Sequence, residues 1–488
     1  LFQQKYQYAI QKGNEMTTFA NAVQTHNDEA SALTENGMNA RANTAHRVLD
    51  LFSKIGSARG DDLTKDFTAA FVADEDLTMR TLLWARDIRE GLGERQTFRN
   101  LLRNLEKVNP AKAGKLMPKI PFLGRWDDLF SYEDPINRKA AFDMIKAALD
   151  NKDGLAAKWC PRKGKIAIEL TKHFGLSPRA YRKLIVGLTS VVETKMCAKE
   201  WDKINFSHVP SVASARYQKA FGKNSPDAYS EYLRELQKPT SERKNSKVKI
   251  NAGAVYPYDV LQSVIHGDPA VADEQWKALP NFLGDSKIIP IVDTSGSMGN
   301  ISYSGVNNVK IAVSLGLYLS DKNSSAFKDI VLTFSTRSEI IKLSGTLSQR
   351  IAQINTSKWG LSTNLHAAFD NILDVAISYN VDPSDMPEVL LILSDMQFDA
   401  GANYNDRARN MIARKYKSAG YKVPKIVFWN LNAGYGSDNT PVRFDDKGTA
   451  LISGFSPSIM KSVLADDLKE FTPYSVMLKT LMNERYAI

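Results

Sequence analysis

Residues 287–298 read Lys-Ile-Ile-Pro-Ile-Val-Asp-Thr-Ser-Gly-Ser-Met, an apolar run that stops abruptly at Asp293, Ser295 and Ser297. Ile288, Ile289, Ile291 and Val292 form a short, nearly continuous hydrophobic segment, the pattern of a parallel strand buried on both faces. Pro290 argues mildly the other way, because a residue without an N–H is usually pushed to a sheet edge or a strand end. Beyond the strand the acid and the two serines fall at alternate positions of a turn that Gly296 keeps tight. Open α/β sheets hold their ligands at this end of a strand. A hard cation such as Mg2+ takes an octahedron of oxygens, usually one or two carboxylates with hydroxyls and water. Taken alone, Asp-x-Ser-x-Ser is equally an ordinary turn, since both residue types crowd turns.

Two distant segments add to it. Residues 359–366, Trp-Gly-Leu-Ser-Thr-Asn-Leu-His, present Thr363 just before a helical pattern over 365–379. Residues 389–395, Val-Leu-Leu-Ile-Leu-Ser-Asp, read as another buried strand that ends in Asp395. With these motifs the chain resembles the von Willebrand factor A (vWA) domain and its metal-ion-dependent adhesion site. Asp293, Ser295 and Ser297 match the first motif, Thr363 the second and Asp395 the third. The resemblance implies a divalent cation, Mg2+ first, with a coordination position open to the carboxylate of a protein partner. The alternative is a set of ordinary α/β turns.

Around these motifs strands and helices alternate. A helix is expected over 309–319, strands over 330–334 and 340–343 (the latter antiparallel), and a basic amphipathic helix over 407–419. Strands over 425–431 and 451–456, a last helix over 459–468 and a tail complete the unit. The alternation predicts a doubly wound, mostly parallel sheet. The expected α/β vWA domain is 285–470, with 471–488 as a C-terminal tail.

Upstream, 40–270 read as helical. Val48, Leu49, Leu51, Phe52 and Ile55 give one amphipathic face; 67–72 and 77–88 give another pair. Gly91 ends a helix, and Phe98, Leu101, Leu102 and Leu105 start the next. A spacing of about 40 residues between helix pairs suits a stacked solenoid. The expected architecture is therefore multidomain: an α-helical repeat (HEAT-like) N-terminal half and the doubly wound α/β domain. Asp127 and Asp128 read as helix caps. Residues 1–39 are expected to be a partly flexible extension; the first fifteen are polar, and Met16 opens a plausible start.

The chain has 488 residues, 43% hydrophobic and 24% charged, which predicts a soluble globular protein. No apolar run approaches the ~20 residues that span a bilayer. Two cysteines, Cys160 and Cys197, cannot build a disulfide framework and point to a reducing, cytoplasmic setting in a bacterial or phage-infected cell. The net charge of +10 comes from 64 basic and 54 acidic residues. Eight cations, Lys158, Arg162, Lys163, Lys165, Lys172, Arg179, Arg182 and Lys183, share one stretch with a single acid, Glu169, and with Trp159, Phe174 and Tyr181. Such a stretch suits nucleic acid, with cations on phosphates and rings on unpaired bases. It equally suits surface helices with buried aromatics. A second basic run over 238–249 could extend the same surface.

Residues 394–399 (Ser-Asp-Met-Gln-Phe-Asp), 424–430, 453–456, 158–162 and 209–213 resemble a family of vWA-bearing proteins of unknown function from phages and plants. That resemblance covers most of 40–470. The plan of helices followed by a vWA domain, the junction Tyr-Pro-Tyr-Asp-Val over 256–260 and Ser-Gly-Phe-Ser over 453–456 also resemble the Ro autoantigen (TROVE) proteins. This implies a non-enzymatic scaffold that binds small noncoding or misfolded RNA on its helical half. No RNA-contacting residue is carried over, because the helical half matches only in kind. Two other functions stay open: a protein-interaction module acting through the metal alone, and a Mg2+-dependent hydrolase.

Overall fold

The computed structural model describes residues 31–58, 60–245, 247–266, 269–299, 307–357, 359–400, 407–432, 439–468 and 470–488. Strands β1 (Ser31–Leu33) and β2 (Asn39–Arg41) form an antiparallel hairpin. A larger sheet holds β3 (Ile288–Asp293), β4 (Ile330–Phe334), β5 (Ser338–Lys342), β6 (Val389–Ser394), β7 (Lys425–Asn430) and β8 (Thr449–Ser453). Its order is β5-β4-β3-β6-β7-β8, parallel throughout except for the antiparallel β4–β5 pair. This is the expected α/β alternation, with β3 and β6 adjacent at the centre.

Side chains divide by parity along the strands. Ile288, Val292, Leu391 and Leu393 pack with Val427, Trp429 and Ile452 on one face. Ile289, Ile291, Leu390 and Ile392 pack with Phe428 and Leu451 on the other, under helices Leu365–Ser378 and Ala408–Ser418. Both faces being covered explains why the central strands are apolar at nearly every position. Pro290 does lie inside β3. Its neighbour in β6 is Leu391, but pairing with β4 begins only at Ile291. The residue without an N–H thus sits where the β4 side has no ladder to lose.

The N-terminal half is helical, as expected, but without a fixed period. Its helices run from the four residues of Ile120–Leu123 to the sixteen of Pro135–Asp150, with 3-10 turns between them. Capping explains several starts. Asp74 accepts the Leu77 N–H ahead of Glu75–Arg86, and Asp134 precedes Pro135 at the start of the longest helix. The helices of this half are therefore unequal in length.

The helical layer and the sheet share a core. One apolar cluster runs from Phe52 and Trp84 through Leu261 and Leu315 to Val427 and Trp429. Helix Arg47–Ile55 lies on β8, where Ser453 Oγ donates to the Phe52 carbonyl and accepts the Gly56 N–H, both at 3.2 Å. A Cβ on Gly56 would come within 2.8 Å of the Gly454 Cα and N. Backbone on both sides leaves no room to yield. Gly56→Ala is expected to destabilise the protein by about 1–3 kcal/mol, read as a lower denaturant midpoint at unchanged slope.

Residues 471–488 are not a loose tail. They contain helix Pro473–Leu481, whose Val476, Met477 and Leu481 are fully buried. Arg485 Nη2 then reaches the buried Asp87 carboxylate at 2.8 Å and the Tyr486 hydroxyl donates to it at 3.1 Å. The short polar flanks hide this role in the sequence. The last helix expected over 459–468 is reduced to Met460–Val463, and the strand expected over 451–456 is Thr449–Ser453. Residues 1–30 lie outside the described residues; 31–39, expected to be extension, form the β1–β2 hairpin together with residues 40 and 41, expected to begin the helical half.

Candidate metal centre and basic surface

Parallel pairing of β3 with β6 puts their carboxyl ends side by side. Val292 faces Leu393, so Asp293 and the Ser394-Asp395 pair emerge at the same rim. Asp293 is fully buried, Ser295 and Thr363 are 1% exposed and Asp395 is 2% exposed, whereas Ser297 opens to solvent. Asp293 Oδ1 accepts the Ser295 N–H at 2.9 Å and its Oδ2 accepts the Ser394 hydroxyl at 2.5 Å. The Ser295 and Ser297 hydroxyls lie 3.2 Å apart, and Ser297 also bonds Asp395.

The second motif arrives from the loop before helix Leu365–Ser378. Leu361 packs against Gly296, 3.5 Å from where a Cβ would stand. Thr363 is fixed by Asp399, whose Oδ1 accepts the Thr363 N–H at 3.0 Å and whose own N–H donates to the Thr363 carbonyl at 3.0 Å. Asp399 is therefore a positioning residue for Thr363. After β6 the chain turns sharply. Met396 takes φ +67° and its N–H bonds to Ser394 Oγ at 3.0 Å. A buried non-glycine residue held there marks a backbone that its surroundings over-determine.

The first three motifs thus converge, and the electrostatics are unusual. Burial, and then the neighbouring Asp395, push the Asp293 carboxyl above the usual carboxylate range. Burial raises Asp395 too; the Ser297 hydroxyl opposes this, and Glu35 reinforces it. Among the described residues neither acid has an ion-pair partner. Two adjacent carboxylates without a counterion, beside three hydroxyls, are a donor set that a hard divalent cation fits.

Sequence reading missed Ser394, Asp399 and the β1–β2 hairpin. Ser394 and Asp399 flank Asp395 and were legible as oxygen donors. The hairpin was not, because its partners lie more than 320 residues away.

The basic stretch divides into two results. Arg162, Lys163, Lys165, Lys172, Arg179, Arg182 and Lys183 are all exposed, on and around helices Lys165–His173 and Pro178–Leu188. No ion pair is formed by these seven among the described residues. Lys158 is instead half-buried and lies 3.6 Å from Glu193. The aromatics do not face outward as base-stacking would require. Tyr181 is 1% exposed and donates to the Pro161 carbonyl, Phe174 packs on Tyr181, and Arg125 sits 3.5 Å over the Trp159 ring. Hydrophobic burial outweighs display: the rings are what glue the two helices down. In the second run Lys238 pairs with Glu235, Lys244 pairs with Glu231 and Arg243 is spent on three backbone carbonyls, whereas Lys247 and Lys249 are exposed. Cys160 is buried and Cys197 exposed, both free. No helix among the described residues is long and apolar enough to cross a membrane.

Two family models match this chain. Residues 287–481 match one described as a domain of unknown function (DUF7788), and 179–286 match another described in the same way (DUF2828). The first match runs from the residue before β3 to the last residue of helix Pro473–Leu481, so the C-terminal helix falls inside it. An uncharacterized protein of Acanthamoeba polyphaga mimivirus, L728, is 27% identical over 517 residues, covering 92% of this chain and 87% of that protein. Among solved structures, that of the Deinococcus radiodurans Ro (RSR) protein aligns over 90% of this chain and 100% of its own, with 13% identity and a TM-score of 0.46.

Proposed function

We propose that this chain is a non-enzymatic binding protein of vWA type whose sheet end holds one divalent cation, Mg2+ first, and through it a carboxylate of a protein partner. The pair of buried acids, Asp293 and Asp395, with no ion-pair partner among the described residues, carries this reading. Ser295, Ser297 and Thr363 would add neutral oxygens, and the cation would supply the missing charge. Leu361, 90% exposed and packed against Gly296 at the rim, offers an apolar contact beside the charged centre. Interfaces concentrate their energy where such a contact shields a polar core from water.

Titration with Mn2+ followed by electron paramagnetic resonance tests this reading. One bound ion per chain is expected, displaced by Mg2+, with affinity lost in Asp395→Asn and lowered in Thr363→Ala. Mn2+ binding that ignores both substitutions would overturn it.

The seven exposed cations favour a second, compatible reading: a Ro-like RNA scaffold in which helices Lys165–His173 and Pro178–Leu188 grip phosphates rather than bases. Substituting Arg179, Arg182 and Lys183 with Gln should weaken binding of small structured RNA. The slope of log affinity against log salt should shrink by about 2 to 3, one counterion for each phosphate contact removed. An unchanged slope would place the RNA elsewhere or nowhere.

A further inference from the structure

The hairpin formed by β1 and β2 reaches the rim of the candidate site. Its tip, residues 34–37, lies against the loop that follows β6. The Thr34 hydroxyl donates to the Phe398 carbonyl at 2.6 Å, the Glu35 N–H to Gln397 Oε1 at 2.7 Å, and Asn36 Nδ2 to the Gln397 carbonyl at 2.7 Å. The Ala400 N–H returns a bond to the Asn36 carbonyl at 3.0 Å, and Gly37 forms a β-bridge with Asp399. Met38, 1% exposed, anchors the tip in the same apolar cluster as Met396 and Phe398. Arg41 extends the contact through paired backbone bonds with Thr440.

These bonds aim the tip at the candidate ligands. Asn36 Nδ2 approaches Thr363 Oγ1 at 3.4 Å. Asp399, which holds Thr363 by two backbone bonds, is the residue bridged by Gly37. Glu35 is exposed, its carboxylate makes no hydrogen bond or ion pair among the described residues, and it lies within electrostatic range of Asp395. A backbone fixed by these bonds thus holds an acidic side chain within electrostatic range of Asp395, which has no ion-pair partner among the described residues. Without a cation, Glu35 adds repulsion at Asp395.

We propose that the hairpin is a built-in cap of the cation site, in which Glu35 supplies from within the chain the carboxylate that a partner would otherwise bring. This inference rests on the cation reading above and deepens it. In the described residues no three His, Cys, Asp or Glu side chains already gather to hold an ion. To complete the shell Glu35 would turn its exposed side chain toward the rim, where its backbone N–H is already tied to Gln397. A partner's carboxylate competes for that position, so the hairpin sets a threshold for partner binding.

The test uses the full chain and Mn2+ alone, with Glu35→Gln compared to the parent protein and to Asp293→Asn. Water-proton relaxation counts the waters on the bound ion. Glu35→Gln is expected to weaken Mn2+ by about tenfold, within the range that lost supporting groups cost a metal site, and to add one bound water. Because the side chain is exposed, folding is not at stake. Asn36→Ala, which loosens the tip without touching an acid, should give an intermediate loss. If Asp293→Asn abolishes binding while Glu35→Gln matches the parent in affinity and water count, the cap is wrong and the cation site stands. If Asp293→Asn binds like the parent, the cation site itself fails.

Discussion

Asp293→Asn should leave the protein folded and make it indifferent to magnesium. In the parent protein, free Mg2+ at about a hundred times its dissociation constant should stabilise the fold by about 2.7 kcal/mol, because the ion binds only the native state. The thermal midpoint should therefore rise with added Mg2+. The Asn variant should show no such rise. Its remaining Oδ1 still accepts the Ser295 N–H, and the hydroxyl of Ser394 can turn to accept from the new amide. Without Mg2+ the variant should be as stable as the parent or more so, because a fully buried charge beside Asp395 has been removed. That combination, gain without metal and loss with it, separates a ligand from a merely structural acid. A Mg2+ shift of parental size in the variant would move the ion elsewhere.

Asp128→Ala should produce the largest loss of stability, about 3–5 kcal/mol. Asp128 is fully buried and accepts from Arg86 Nε and Arg99 Nε, each at 2.7 Å, and from the Arg125 N–H at 2.9 Å. Arg86 is 2% exposed, so removing its partner strands a buried guanidinium. The damage should also spread towards the basic helices. Arg125, held by the Asp128 turn, lies over Trp159 at the end of helix Gly154–Trp159, which leads into them. The double variant Arg86→Met/Asp128→Leu should recover much of the loss, since apolar side chains of similar size can replace a buried ion pair. Urea melts of the two variants check this: equal midpoints would mean that the ion pair is not what the turn depends on. Sequence reading took Asp128 for a cap, and it does accept the Arg125 N–H at the start of a 3-10 turn. Its larger role, pairing with Arg86 and Arg99 from two other helices, has no local signature.

The same division holds across the molecule. Strands β3, β6 and β7 were legible because burial on both faces demands apolar residues at nearly every position, and helix starts were legible wherever a capping side chain announced them. Asp293, Ser295, Ser297, Thr363 and Asp395 were legible as donors because each stands at the end of an apolar strand, in the polar loop just after one, or just before a helix. Their chemistry was a matter of residue type and local order. Whether the neighbouring aromatics would face bases or the core was not, because Trp159, Phe174 and Tyr181 read alike in either case. Tertiary packing decided that by burying Tyr181 and covering Trp159 with an arginine more than thirty residues away.

Local sequence, then, determined which elements form and which loops carry oxygen donors, since strand burial, helix capping and turn chemistry act over a few residues. Only the tertiary structure decided what surrounds those donors. The β1–β2 hairpin at the rim, Asp399 on Thr363, and the C-terminal helix over β8 with Arg485 and Tyr486 on Asp87 all join residues far apart in the chain. Such contacts exist because the folded core pays the entropy of closing those long loops once, for every contact together. No single segment carries a record of that shared cost, which is why the surroundings of the site could not be read from any stretch of sequence alone.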